Sequence, residues 1–244
     1  MAALLTLSNA TVKRGGNILI AGLSCAFRAG EAVVILGPNG AGKSTLLLAL
    51  AGLIPVDGDI ALHGAALGDY SRSELSRHIA WQGELPPTEF GVSVQQRLDL
   101  AAGEAGGDIA VGAQDMDIEA LLHRALGTLS SGERQRTELA ALMLRDAPLW
   151  LLDEPTAHLD LKHQIHCIQM LKAQRAQGRA IITVLHDLQQ AMAIADHLIL
   201  VDGKGRAEYG AAQTLLNSAT LSQLFHAPVM QQGAMLIPDY GEEL

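Results

Sequence analysis

Aromatic side chains are scarce. Phe, Trp and Tyr make up 3% of the 244 residues, so the core must be built from Ala, Leu, Val and Ile. Cysteine is nearly absent as well. Cys25 and Cys167 stand far apart with no partner pattern, which excludes a disulfide framework and points to buried or free thiols in a reducing compartment. Basic residues are outnumbered, 17 Lys and Arg against 26 Asp and Glu, for a net charge of −9. That balance argues against broad nucleic-acid binding, where basic patches dominate. Long apolar runs are missing. The longest, residues 45–56, is too short to span a bilayer and contains Gly52 and Pro55. Residues 1–7 lack the basic start and apolar stretch of a signal peptide. The expectation is a soluble chain; action at a membrane would require another chain to do the spanning.

What is present is enough for a sizeable core, since 49% of the residues are hydrophobic. Residues 4–12 read as an edge strand, 15–17 as a turn and 18–27 as a second strand region. Short all-apolar runs at 32–36, 149–152 and 180–185 read as buried strands. Further strands are expected at 57–63, 79–82 and 198–201, and helices at 43–51, 71–77, 161–177 and 188–195. Residues 83–145 are helix-rich, with a polar, glycine-bearing insert near 103–117. Residues 238–244 read as a loose acidic tail. Apolar strands alternating with helices predict a mainly parallel sheet covered on both faces.

Between the first buried strand and its helix lies Gly37-Pro38-Asn39-Gly40-Ala41-Gly42-Lys43-Ser44, followed by Thr45. Read blandly it is a glycine-rich turn. In a strand–loop–helix setting the glycines let successive backbone N–H groups curl around phosphate oxygens. The helix start points its dipole at the anion, Lys43 adds a point charge, and the Ser44 hydroxyl can ligate Mg²⁺. The loop therefore predicts ATP binding. The second buried strand runs into Asp153-Glu154-Pro155. An acidic turn after a strand is ordinary, but ligands collect at strand C-termini in such sheets. There Asp153 can hold Mg²⁺ through water, and Glu154 can act as general base.

Weaker elements gain from this company. Leu129-Ser130-Ser131-Gly132-Glu133 precedes a helix and alone is a capping box. Its exposed first-turn N–H groups also make a second anion-binding helix start, better placed to serve phosphates held by a second copy. His186 follows the third buried strand and can reach a γ-phosphate; Gln82 ends another strand and can ligate Mg²⁺ or orient water. Asp160 is either the N-cap of the next helix or a functional group. His163 and His166 are one turn apart and read as surface residues without a metal pattern.

In this order the elements resemble the ATP-binding cassette family, over residues 4–201. Residues 37–45 are similar to the Walker A loop, Gln82 to the Q-loop, 129–133 to the signature, 151–154 to the end of Walker B, 157–160 to the D-loop and His186 to the switch histidine. The resemblance implies an α/β fold, a P-loop NTPase cassette with a mainly parallel core sheet, an N-terminal antiparallel β region and a helical subdomain. It implies one domain over 1–244, with a core lobe at about 1–82 and 146–244 and a helical lobe at about 83–145. It further implies a head-to-tail homodimer, with each ATP between Walker A of one copy and the signature of the other, where Ser130 and Gly132 contact it; Ser131 and Asp160 are counted with the nucleotide-binding residues. Two departures stand out. Arg14 occupies the place of an adenine-stacking aromatic, where its guanidinium plane can stack on the base. Ser131 and Glu133 replace the usual second glycine and glutamine, and the bulk at Ser131 is expected to loosen the partner contact.

A single cassette without membrane spans resembles an importer subunit. Leu67-x3-Ser71-Arg72-x-Glu74-Leu75, Val184-Leu185-His186-Asp187-Leu188-x2-Ala191 and Leu224-Phe225-x2-Pro228-Val229 are similar to ATPases that import ferric siderophores, haem or vitamin B12. Such a subunit works in the cytoplasm at the inner face of the membrane. It binds permease subunits directly, a substrate-binding protein indirectly, and no nucleic acid. The alternatives are the ATPase of an exporter and a non-transport cassette ATPase. Repair members carry long coiled coils and ribosomal members carry two cassettes, and neither feature is present.

Overall fold

The computed structural model describes residues 3–83, 85, 91–103 and 107–241. The chain opens with β1 (Leu5–Arg14) and β2 (Asn17–Phe27), an antiparallel hairpin turned by Gly15 and Gly16, both at positive φ. β3 (Ala32–Leu36) follows, then α1 (Lys43–Leu50). Gly52, at φ 69°, ends α1. Its N–H donates to the Ala49 carbonyl and that of Leu53 to the Leu48 carbonyl, a Schellman closure. β4 (Asp57–Leu62) and β5 (Ala65–Ala66) complete a four-stranded sheet in the order β2-β1-β4-β5. β1 is thus an inner strand, paired on both sides, not the edge strand its sequence predicts. Its mixed pattern of buried and exposed residues reflects one covered face, not a free edge.

Next come α2 (Arg72–His78), β6 (Ile79–Gln82), α3 (Val94–Ala102), α4 (Ile109–Asp115) and α5 (Ser131–Met143). α4 lies inside the expected polar insert. Asp108 caps its first turn, and Gly112 is buried beside Leu144. β7 (Leu149–Asp153), α6 (Leu161–Ala176), β8 (Ala180–Val184), α7 (Leu188–Ile194) and β9 (His197–Val201) follow. Beyond Val201, where the sequence predicts no further element, the structure has β10 (Ala207–Ala211), α8 (Ala212–Leu215), α9 (Ser218–Phe225) and the hairpin β11 (Val229–Gln232) and β12 (Met235–Pro238). Pro238 therefore closes a strand instead of opening a tail; residues 242–244 of the expected tail lie outside the described residues.

The core sheet has the order β10-β9-β3-β8-β7-β6. Its pairings are parallel except for β10 on β9. The all-apolar runs at β3, β7 and β8 follow from burial on both faces. Alternate side chains divide cleanly between two hydrophobic clusters. Val34, Leu36, Trp150, Leu152 and Ile181 join residues of α3, α5, α6 and α7 on one face. Val33, Ile35, Leu149, Leu151 and Ile182 join α1 and the four-stranded sheet on the other. The period-2 alternation of a strand accounts for this division.

Polar anchors hold the helices in place. Arg97 of α3 grips Glu138 of α5 with two hydrogen bonds, Nε to Oε1 at 3.0 Å and Nη2 to Oε2 at 2.5 Å. His166 keeps its expected surface placement, while His163 is more covered than expected, at 16% exposed. His163 lies 2.7 Å from Asp160 through Nδ1 and 3.4 Å from Asp117 through Nε2, and His166 lies 3.3 Å from Asp115. Lys162 also meets Asp117, at 2.5 Å, so α6 is tied by charge to the segment around α4.

The Arg97→Met substitution leaves Glu138, which is 8% exposed, without its cation. Because Arg97 is itself part-exposed, the loss is expected at about 1–3 kcal/mol, below that of a fully buried pair. Urea unfolding measures it, and an unchanged midpoint contradicts it.

Candidate active site

Parallel pairing brings four loops to one edge. β3, β8, β7 and β6 are consecutive neighbours, and their C-terminal ends lead to the 37–42 loop, His186, Asp153-Glu154 and Gln82. With neighbouring strands about 4.8 Å apart, that row spans about 15 Å, the scale of a bound nucleoside triphosphate.

The loop's shape comes from its glycines. A β-carbon at Gly37 would collide with the Val201 carbonyl of β9. Gly42 has φ 105° as the N-cap of α1, and a β-carbon there would stand 2.9 Å from Leu19 of the N-terminal hairpin. Pro38, Asn39 and Gly40 form the outer part of the turn, closed by the Ala41 N–H donating to the Pro38 carbonyl at 3.2 Å. Lys43 is 5% exposed and donates from Nζ to the carbonyls of Gly37 (2.8 Å) and Pro38 (3.0 Å). Burial lowers its pKa from the usual lysine range, against the opposing pull of Glu154 and Asp153. Ser44 stays exposed and Thr45 is buried beneath it.

Glu154 takes a left-handed φ of 50°, which costs a non-glycine residue about 1 kcal/mol or more. Its N–H donates to the Val184 carbonyl at 3.2 Å, and its carbonyl accepts from the Ala157 N–H at 3.0 Å. Its carboxylate Oε1 lies 2.5 Å from His186 Nε2. Glu154 and His186 are thus in direct hydrogen-bond contact. A cleft of about 360 Å³ is lined by Ser44, Gly83, Gln135, Asp153, Glu154 and Ala157, among others. Gln82 is 4% exposed and donates from Nε2 to the Gly83 carbonyl at 2.9 Å; its Oε1 is buried with no partner among the described residues.

That orphaned acceptor bears on Mg²⁺. Among the described residues no group of three or more His, Cys, Asp and Glu could hold a metal by itself. The Ser44 hydroxyl, the Asp153 carboxylate and Gln82 Oε1 are hard oxygen donors, few in number, which suits an Mg²⁺ that shares its shell with phosphates and water.

The remaining expected residues do not line this cleft. Ser130 caps α5, its Oγ accepting from the Glu133 N–H at 3.2 Å while Glu133 Oε2 accepts from the Ser130 N–H at 2.7 Å. These bonds hold the Glu133 carboxyl below the usual range, so a glutamate serves as well as a glutamine in that reciprocal cap. Ser130, Ser131 and Gly132 do not line the cleft that holds Ser44. Arg14 ends β1 at the hairpin turn, exposed and outside the cleft. Asp160 is the N-cap of α6, accepting from the His163 N–H at 2.9 Å, in line with the first of its two readings.

Other residues near the site carry little signal in the sequence. Gln135 of α5 donates into the Glu154 turn, to the Pro155 carbonyl at 2.9 Å. Thr156 donates to Gln190 of α7 at 2.7 Å, and Gln190 donates to Gln164 of α6 at 3.3 Å. The signal for Gln135 is a polar residue on the inward face of α5; lone glutamines on helices otherwise look like surface.

The family model described as ABC transporter matches residues 20–157. The chain belongs to this family. Relatives named hemin import ATP-binding protein HmuV include one from Streptomyces coelicolor, 35% identical over 93% of this chain and 86% of its own length. One from Shewanella denitrificans is 34% identical over 91% and 93%. Among solved structures, a metal-chelate type ABC transporter in an inward-facing conformation superposes with a TM-score of 0.81 at 24% identity, covering 98% of both chains. An ATP-binding subunit of an ABC transporter gives 0.79 at 22% identity over 91% and 94%. At those identities the likeness concerns the fold. The cassette reading of the α/β architecture is thereby established, and with it an ATPase of the ABC class.

The contact of Gly37 with Val201 yields a prediction. Gly37→Ala forces β-carbon into backbone and is expected to destabilise the cassette by about 1–3 kcal/mol, as overpacking does. Urea titration tests this; wild-type stability would show that the loop yields freely.

Proposed function

We propose that this chain hydrolyses ATP to drive a membrane importer of haem or a chemically related metal chelate. The observation that carries the ATPase half is the meeting of Ser44, Asp153 and Glu154 in one cleft, with Glu154 bonded to His186. The cargo half rests on the relatives named for hemin import.

The residues of 37–45 would bind the phosphates, Gly37 to Gly42 through backbone N–H groups, Lys43 through its ammonium and Thr45 near the helix start. Mg²⁺, held by Ser44, Asp153 and Gln82, would neutralise charge on the phosphates. Glu154 would take the proton of the attacking water as its oxygen bonds to the γ-phosphorus and the bond to the ADP oxygen breaks. His186, 2.5 Å from that carboxylate, would hold it in place and meet the cleaved phosphate. Arg14 would lie against the adenine.

Because Ser130, Ser131 and Gly132 lie outside the cleft, they would act on the ATP of a second copy, with Asp160 near the same interface. Leu161 and Ile165, exposed on α6 beyond Asp160, offer apolar surface for that contact. Among the described residues no helix is long and apolar enough to cross a membrane, so permease subunits would supply the spans. Leu100 of α3 and Val111 of α4, both exposed, are candidates for the permease contact. The cassette would then sit at the cytoplasmic face, with the substrate-binding protein acting from the other side.

Glu154→Gln keeps the shape and removes the base. Hydrolysis is expected to fall by about 100-fold or more, while ATP binding persists and a dimer accumulates on size-exclusion chromatography. Hydrolysis at the wild-type rate would sink this assignment. For the cargo, a strain lacking the chain should fail to grow with haem as its iron source; normal growth there contradicts haem import.

A further inference from the structure

Gln135 lies on α5, one turn beyond Ser130-Ser131-Gly132, and is 2% exposed. Its Nε2 donates to the Pro155 carbonyl at 2.9 Å and the Glu154 carbonyl at 3.4 Å. Both carbonyls belong to the turn that holds Glu154 at φ 50°. A second contact joins the same two segments. At Gly132 a β-carbon would stand 2.8 Å from the His158 carbonyl, so the start of α5 already abuts the turn that follows Glu154. One helix therefore carries the anion-binding start at one end and a buried grip on the base's backbone a turn later.

We propose that Gln135 is a positioning residue that couples the two ATP sites of a cassette dimer. The inference rests on the head-to-tail reading above. In that dimer the start of α5 meets the partner's nucleotide, whereas Glu154 serves the nucleotide of its own chain. A shift of α5 towards the partner's phosphates moves Gln135 with it, since the helix is a rigid rod. The two amide hydrogen bonds pass that shift to the carbonyls of Glu154 and Pro155, and so to the carboxylate beside His186. Occupancy of one site thereby sets the base of the other. The donor is a neutral amide facing carbonyl oxygens, which a carboxylate or an apolar side chain cannot replace.

The test is Gln135→Met, which keeps length and volume and removes the donor. Three quantities are measured for wild type and variant: kcat, the Hill coefficient for ATP, and ATP affinity under non-hydrolysing conditions. The wild type is expected to be cooperative, with a Hill coefficient between about 1 and 2. In the variant kcat is expected to fall about tenfold or more and cooperativity to vanish, with ATP affinity within about twofold of wild type. Wild-type kcat and cooperativity in Gln135→Met overturn the proposal. A loss of affinity matching the loss of kcat also overturns it, because a merely structural residue behaves so, and a non-cooperative wild type leaves nothing to couple. A wild type without ATPase activity instead overturns the underlying ATPase reading.

Discussion

The parallel pairing of β3, β8, β7 and β6 is the constraint on which the rest of the site depends. Each strand is buried on both faces, so its register is fixed by side chains from two hydrophobic clusters at once. A slip of one residue would send Val34 and Trp150 to the wrong face and move every C-terminal end with them. Because all four strands end on the same side, the phosphate loop, His186, the Asp153-Glu154 pair and Gln82 arrive together without any long loop to place them. A rigid sheet edge gives the positional precision that acid–base chemistry requires.

On that edge, strain and burial are concentrated at the residues of the proposed site. Glu154 is held in a left-handed conformation by a backbone hydrogen bond to Val184 and by the Gln135 amide. Lys43 is buried with a lowered pKa and steadied by two loop carbonyls. Gln82 keeps an unpartnered buried oxygen among the described residues. Each of these is unfavourable taken alone. Together they suit the proposed site, where a bound anion and cation would offset the local costs.

Much of this was legible in the sequence, for identifiable reasons. The all-apolar runs at 32–36, 149–152 and 180–185 could be read as buried strands because nothing polar interrupts them. The loop at Gly37 and the pair at Asp153-Glu154 stood out because their residue types are needed for phosphate chemistry. Pairing partners were not legible. β1 looked like an edge because its alternation reports one covered face and says nothing of how many neighbours it has. The region after Val201 lacked a strong period, since β10 to β12 are short and half exposed. The partial cover of His163 is not legible because one of the acids that meet it, Asp117, is remote in sequence. Gln135 was invisible for the same reason: its partners lie about 20 residues downstream.

The central claim is that a working site needs the phosphate loop of one copy and the α5 start of another. A mixing experiment tests it directly. Lys43→Ala disables the loop, and Ser130→Arg blocks the helix start; each protein alone should be inactive. A mixed dimer keeps one intact loop facing one intact helix start, so mixing the two inactive proteins should restore ATP hydrolysis in part, about tenfold below wild type, because the empty second site leaves Glu154 of the intact one unset. If the mixture stays as inactive as its components while mixed dimers form, the shared site is contradicted.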